Sequence, residues 1–189
     1  MKHLNTYIGR ADYSLFRTFC QENGERKEFK KKDFFLRKGE RAYWLGCIQS
    51  GFVRYSCTGS DGNIHVVGYS FEEDFAVDYA SFLHRGSAVL DIQVMETCQM
   101  DVISFKQFSD FINQDIETQK LGRRMSEELF ITMYERLLNF YLYTPEERYL
   151  KLMEKFPFLI ERVSMKEIAS FIGISAEALS RMRKRLLYA

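Results

Sequence analysis

Five basic residues fall in the last twenty-six positions, Lys166, Arg181, Arg183, Lys184 and Arg185, against two acidic ones, Glu167 and Glu177. The stretch "IASFIGISAEALSRMRKRL" holds most of them. These groups match the chemistry of a DNA groove. An arginine can donate two hydrogen bonds to O6 and N7 of guanine, and a glutamate can accept from the N4 amine of cytosine. On one helix Ala176, Glu177, Ser180 and Arg181 share a leading face, so Glu177 and Arg181, with Ser180 and Ala176 beside them, are the candidate base contacts. Ser164 and Ser175 stand where helices begin, and a hydroxyl with free backbone N–H groups suits phosphate oxygens. Lys166 and Lys184 suit phosphates by charge. Phosphate contacts give affinity and register, and base contacts give specificity. Arg183 and Arg185 point elsewhere and are read as solvated.

Side chains can read bases only if rigid elements hold them. Ser164-Met165-Lys166-Glu167 is a capping box that opens a helix over about Met165 to Ile172. Gly173 ends that helix, where a residue without Cβ can take positive φ. Ser175 caps a second helix running to about Leu186. Ile168, Ile172, Ile174, Leu179 and Met182 form a small shared core, and the small Ala169 lets the helices cross closely. This is the pattern of a helix-turn-helix, whose second helix enters the major groove. Upstream, Thr144-Pro145-Glu146-Glu147 is another capping box with proline at the first helical position. It opens a helix that ends near Pro157, within "RYLKLMEKFPFLIERV".

The preceding part of the 189-residue chain has a different texture. Leu15, Phe16 and Phe19 mark a short amphipathic helix over residues 11–22. From Phe29 to Phe105, short runs rich in Phe, Val, Ile and Tyr are punctuated at Lys38-Gly39, Ser50-Gly51, Asp61-Gly62 and Arg85-Gly86, the mark of an all-β unit. "VRYSCTGSDGNIHVVGYSF" predicts a hairpin with Asp61-Gly62 in a turn needing positive φ at its centre. A short helix follows over 105–112. A long one follows from about Asp115 to Tyr143, ~43 Å at 1.5 Å per residue. The expected class is α+β, with segments 1–114, 115–143 and 144–189.

Composition sets bounds. Seventeen Phe and eleven Tyr can fill a core in a small unit. A net charge of +1 decides nothing about partners, so the local basic cluster carries that weight. Cys20, Cys47, Cys57 and Cys98 form no C-x-x-C pair, which argues against a zinc site or a disulfide framework. The polar N-terminus lacks an apolar stretch for a signal peptide or membrane span, so a cytoplasmic protein without a membrane partner is expected. No P-loop, Rossmann glycine fingerprint, G-x-S-x-G or H-x-H occurs, so an enzyme is not expected; a cupin-like enzyme is a distant alternative.

Over nearly its whole length the sequence resembles the Crp/Fnr superfamily of bacterial transcription regulators. "FFLRKGERAYWLGCIQSGFVRYSCTGSDGNIHVVGYSFEEDF" resembles the opening strands of the family's β-roll, and "TPEERYLKLMEKFPFLIERVSMKEIASFIGISAEALSRMRKRL" is similar to the C-terminal block of a Bacteroidetes-type subgroup. The resemblance implies a cyclic-nucleotide-binding-like β-roll (a jelly roll, or double-stranded β-helix), a long dimerisation helix and a helix-turn-helix that binds double-stranded DNA. It implies a homodimer, joined along Leu121, Met125, Leu129, Met133 and Leu137, with a signal passed through a hinge at Tyr143–Thr144. RNA polymerase is a candidate further partner. The motif places base contact on Glu177 and Arg181 and phosphate contact on Ser164, Lys166 and Ser175. Where the catabolite activator has arginine, this sequence has Ala176, so a different DNA site is expected. Family members commonly carry a β-hairpin wing after the recognition helix; here it is expected to be absent or truncated.

The family's cyclic-nucleotide binders carry Gly-Glu for the ribose and Arg-Ser or Arg-Thr for the cyclic phosphate. Val77-Asp78 and Ala88-Val89 stand at those positions here. A buried phosphate without its guanidinium would be an uncompensated charge, so cyclic AMP is not the expected effector. No cofactor is expected. Haem remains an alternative through His3, His65, His84 or a cysteine, in a redox or small-molecule sensor whose DNA binding is weak or lost. An effector pocket, if present, is expected among Arg54, Phe75, Asp78, Ser81, Phe82, Arg85, Thr132 and Met133.

Overall fold

A computed structural model describes residues 12–187, so His3 lies outside the described residues. The described chain divides into two compact units at Thr132/Met133.

The first unit opens with α1 (Ser14–Asn23), followed by β1 (Glu25–Phe29), β2 (Phe34–Leu36), β3 (Trp44–Ser50), β4 (Val53–Thr58), β5 (Ile64–Ser70) and β6 (Phe75–Ala76). Then come α2 (Tyr79–Leu83), β7 (Asp91–Val94), β8 (Cys98–Ser104), α3 (Phe105–Ile112) and α4 (Ile116–Leu142). The strands form two antiparallel four-stranded sheets, ordered β1-β8-β3-β6 and β2-β7-β4-β5. Neighbours distant in sequence pair in both sheets, as a β-roll requires. Leu45, Cys47, Val53, Ile92, Val94, Met100 and Ile103 are all buried; in the first sheet Leu45, Cys47 and Ile103 share one face, with Cys47 beside Cys20 of α1, and Met100 lies on the other.

The predicted hairpin is β4–β5, but its loop is longer than a two-residue turn. The Gly62 N–H donates to Gly59 O and the Gly59 N–H to Asn63 O, and in the central Asp61-Gly62 pair only Gly62 takes positive φ, at 76°. That is a type I turn closed by a glycine bulge, which keeps the strands' twist without a second left-handed residue. At the Arg85-Gly86 pair it is Arg85 that takes positive φ, not the glycine.

The helix α1 forms where expected, but its inward face is Tyr13, Phe16 and Cys20, with Leu15 left 51% exposed. A tyrosine and a cysteine complete an i, i+3, i+7 stripe that Leu15 does not share. Phe16 lies against the rings of Phe19, Phe75, Phe108 and Phe111, uniting α1, β6 and α3. Such aromatic pairs each contribute ~0.5–1.5 kcal/mol beyond area burial. The start of α4 belongs to this core. Leu121 and Gly122 are buried, Met125 packs on the core, Tyr13 donates to the Glu128 carboxylate at 2.9 Å, and the Tyr79 and Ser126 hydroxyls bond at 2.9 Å.

The second unit takes the rest of α4 and adds α5 (Pro145–Lys155), α6 (Leu159–Arg162), α7 (Met165–Ile172) and α8 (Ala176–Leu187). Both expected capping boxes form, Thr144 with Glu147 and Ser164 with Glu167. Phe156, the residue before Pro157, leaves the helical region (φ −135°, ψ 65°), which ends α5 at Lys155; one further turn, α6, follows the proline. Tyr149, Leu152, Phe156, Leu159 and Val163 are buried with Ile168, Ala169, Ile172, Leu179 and Met182. Ile174, expected in this core, is only half-buried.

Candidate functional site

In the second unit, α7 and α8 are joined by three residues. Gly173 adopts φ 78°, ψ 35°, and its N–H and that of Ile174 close the end of α7. The Ser175 hydroxyl accepts the Ala178 N–H at 3.1 Å and starts α8. The buried Leu179 and Met182 fix the rotation of α8, and Ala169, fully buried, is the small residue at the contact. With that face turned inward, Glu177, Ser180, Arg181 and Lys184 are exposed and Ala176 half-exposed. Steps of three and four place the four exposed residues on one stripe. The sequence thus brings its base-contact candidates together.

The electrostatics of this stripe are specific. The Glu177 carboxyl is held below its ordinary range by backbone N–H at the start of α8, then by the Ser175 hydroxyl, and further by the charges of Arg181 and Lys166. It is therefore a carboxylate acceptor at neutral pH. The Ser164 hydroxyl donates to the Glu167 carboxylate at 2.8 Å, and the Ser164 N–H reaches the same group at 3.3 Å. A phosphate at either serine would compete with a carboxylate already there, whereas Lys166 and Lys184 are exposed cations. Arg183 and Arg185 are not merely solvated. Arg183 is half-buried against the Met165 sulfur, and Arg185 pairs with Glu146 at 3.2 Å.

In the first unit, the candidate effector residues meet around the segment from β6 to β7. Asp78 caps α2 and is 5% exposed. Its carboxylate accepts the Ser81 hydroxyl at 2.9 Å, the Val89 N–H at 3.0 Å and, weakly, the Ser81 N–H at 3.4 Å. These donors are thus satisfied by an internal carboxylate. Phe75 and Phe82 are core residues, 3% and 0% exposed. Arg54 donates to Gln93 Oε1 at 2.6 Å, across the register between β4 and β7. Arg85 is exposed, its guanidinium 5.7 Å from the Phe105 ring centre. On α4, Thr132 is half-buried and Met133 exposed.

The haem candidates are dispersed. His65 is exposed, 3.6 Å from the Asp61 carboxylate, and His84 is an exposed residue ending α2. Cys20, Cys47 and Cys98 are buried, and Cys57 is half-buried. The hydrogen bond to Cys47 and then burial push the Cys20 thiol far up. No group of three or more His, Cys, Asp or Glu able to hold a metal occurs among the described residues. No helix among them is long and apolar enough to cross a membrane.

Residues 26–115 match the family model described as the cyclic nucleotide-binding domain. Solved structures of Crp/Fnr-type regulators share the fold. FixK2 from Bradyrhizobium japonicum is 16% identical, with a TM-score of 0.72 over 87% of this chain and 85% of that one. The c-di-GMP responsive global regulator CLP of Xanthomonas campestris is 18% identical, with a TM-score of 0.68 over 94% and 92%. A putative transcriptional regulator of the Crp/Fnr family from Eubacterium rectale is 14% identical, with a TM-score of 0.68 over 96% and 88%. At such identities the likeness is one of fold. A comparison with curated proteins finds no match.

Proposed function

We propose that the chain is a sequence-specific DNA-binding transcription regulator of the Crp/Fnr type. One observation supports this reading: α7 and α8 are capped helices packed on each other across a three-residue turn, and they leave Glu177, Ser180, Arg181 and Lys184 on one exposed stripe. Glu177 and Arg181, flanked by Ser180 and Ala176, face base edges. Lys166 and Lys184 hold phosphates, with Ser164 and Ser175 as secondary contacts because their hydroxyls already serve helix caps. The protein works in the cytoplasm, where such a target lies.

The chain acts as a homodimer. Phe130, Tyr134, Leu137 and Tyr141 are 69%, 52%, 54% and 80% exposed, at steps of four, three and four along α4. On this reading the stripe forms the contact with a second copy. The seam is displaced from the stripe expected from sequence, since Leu121 is buried in its own monomer and Met125 packs there. Leu129 lies beside the seam, and Met133 and Leu137 remain available to the partner. The β-roll does not answer to cyclic AMP, because Asp78 holds the positions an anion would need.

Selection of bound sequences from random duplex DNA tests the proposal. A two-fold symmetric site with half-sites about one turn (~34 Å) apart is expected. Absence of any enriched sequence at low salt overturns it.

A further inference from the structure

The end of α4 and the turn between α7 and α8 meet at a cluster that neither the fold family nor the base-reading stripe explains. Arg148, in the first turns of α5, donates from Nη1 to Tyr143 O at 2.7 Å and from Nε to Ile172 O at 3.0 Å. Those two carbonyls lie at the C-terminal ends of α4 and α7, where helices leave acceptors without intrahelical donors. One guanidinium therefore closes two helix ends, and each carries the negative end of a helix dipole. Its plane also lies 4.9 Å from the Phe140 ring centre. The Phe140 ring in turn presses on Gly173 so closely that a Cβ there would sit 2.8 Å from Cε1. One turn earlier in α4, the Arg136 guanidinium lies 4.1 Å from the Phe171 ring centre.

We infer that Arg148 is a positioning residue. It fastens the helix-turn-helix to the last turns of α4, so that these turns belong to the reading unit and no hinge lies at Tyr143–Thr144. Two facts agree. Only Tyr143 and the cap residue Thr144 separate α4 from α5, and the Thr144 carbonyl accepts the Arg148 N–H. The chain also divides into its two units ten residues upstream, at Thr132/Met133, and not at Tyr143. A lysine could not reproduce the clamp, because its ammonium lacks the planar fork that reaches two fixed carbonyls at once.

The inference rests on the DNA-binding reading, and the test separates the two. The purified full chain and its R148Q and R148K variants are titrated with duplexes carrying the selected half-site once, or twice at several spacings. R148Q should keep single-half-site affinity within about threefold while discrimination between spacings falls about tenfold, the scale of one lost charged hydrogen bond. R148K should fall between R148Q and the parent. Unchanged discrimination in R148Q, or an equal loss on single half-sites, overturns the inference while leaving DNA binding intact. If the parent selects no DNA, only the functional reading fails, and amide hydrogen exchange judges the clamp. Faster exchange around 143–148 and 172–174 in both variants supports it, and unchanged rates overturn it. R148K keeps the test open should R148Q not fold.

Discussion

Arg181 and Lys184 are both exposed cations on α8, three residues apart, yet they are expected to do different work. Arg181 stands one turn from Glu177 on the stripe proposed to face the bases, and Lys184 lies a turn further along. Arg181→Ala should cost about 1–3 kcal/mol on the best site and relax one base position, whereas Lys184→Ala should weaken all sequences alike and flatten the salt dependence. Competitive binding at two salt concentrations measures both, and identical behaviour of the two variants would mean the roles are wrongly divided. Asp78 yields a second expectation at this scale. Its carboxylate accepts from Ser81 and Val89 while almost fully buried. Asp78→Ala leaves those donors unsatisfied and should lower unfolding free energy by about 1–3 kcal/mol in denaturant titration. A variant as stable as the parent would show that the carboxylate's bonds to Ser81 and Val89 do not stabilise the fold.

At the scale of elements, the turn between α7 and α8 is the most constrained point. Gly173 is left-handed and has the Phe140 ring against the place a side chain would occupy. Gly173→Ala meets both obstacles. The backbone alone should cost about 1–2 kcal/mol, and the ring contact adds to it. Thermal unfolding of the second unit reads this out, and an unchanged midpoint would contradict the tight approach of α4 to the turn. The long helix α4 shows how one element can serve two cores. Its opening turns bury Leu121 and Gly122 in the β-roll, and its closing turns carry Arg136 and Phe140 against α7 and its turn.

At the scale of the whole molecule, the proposed homodimer would use the exposed aromatic and leucine residues of α4 as its contact. Tyr134→Glu combined with Leu137→Glu should shift the protein from dimer to monomer in sedimentation velocity while its helical circular dichroism is retained. Both side chains are about half exposed in the single chain. A parent protein that sediments as a monomer at micromolar concentration would remove the seam's assigned role. Monomeric variants should also lose preference for paired half-sites, since two reading helices on one duplex need both copies.

Much of this protein is local, and local features can be read from sequence. Capping boxes, a glycine that must turn left-handed, alternating β-prone runs and apolar residues every three or four positions are interactions among neighbours in the chain. They suffice to place α3, α4, α7 and α8 within a residue or two, and to put Glu177, Ser180 and Arg181 on one stripe. What the tertiary structure decided depends on residues far apart. Leu121 and Phe130 are both apolar residues of α4, and only the packed β-roll determines that the first is buried and the second exposed. Asp78 looks like an acid near a ligand position until Val89, eleven residues on, returns to donate to it. Arg148 looks like one more solvated helix charge until the ends of α4 and α7, five and twenty-four residues away, bring two carbonyls to its guanidinium. Helix propensity and capping act within a turn of chain, but burial and charge satisfaction are set by whatever folding brings alongside.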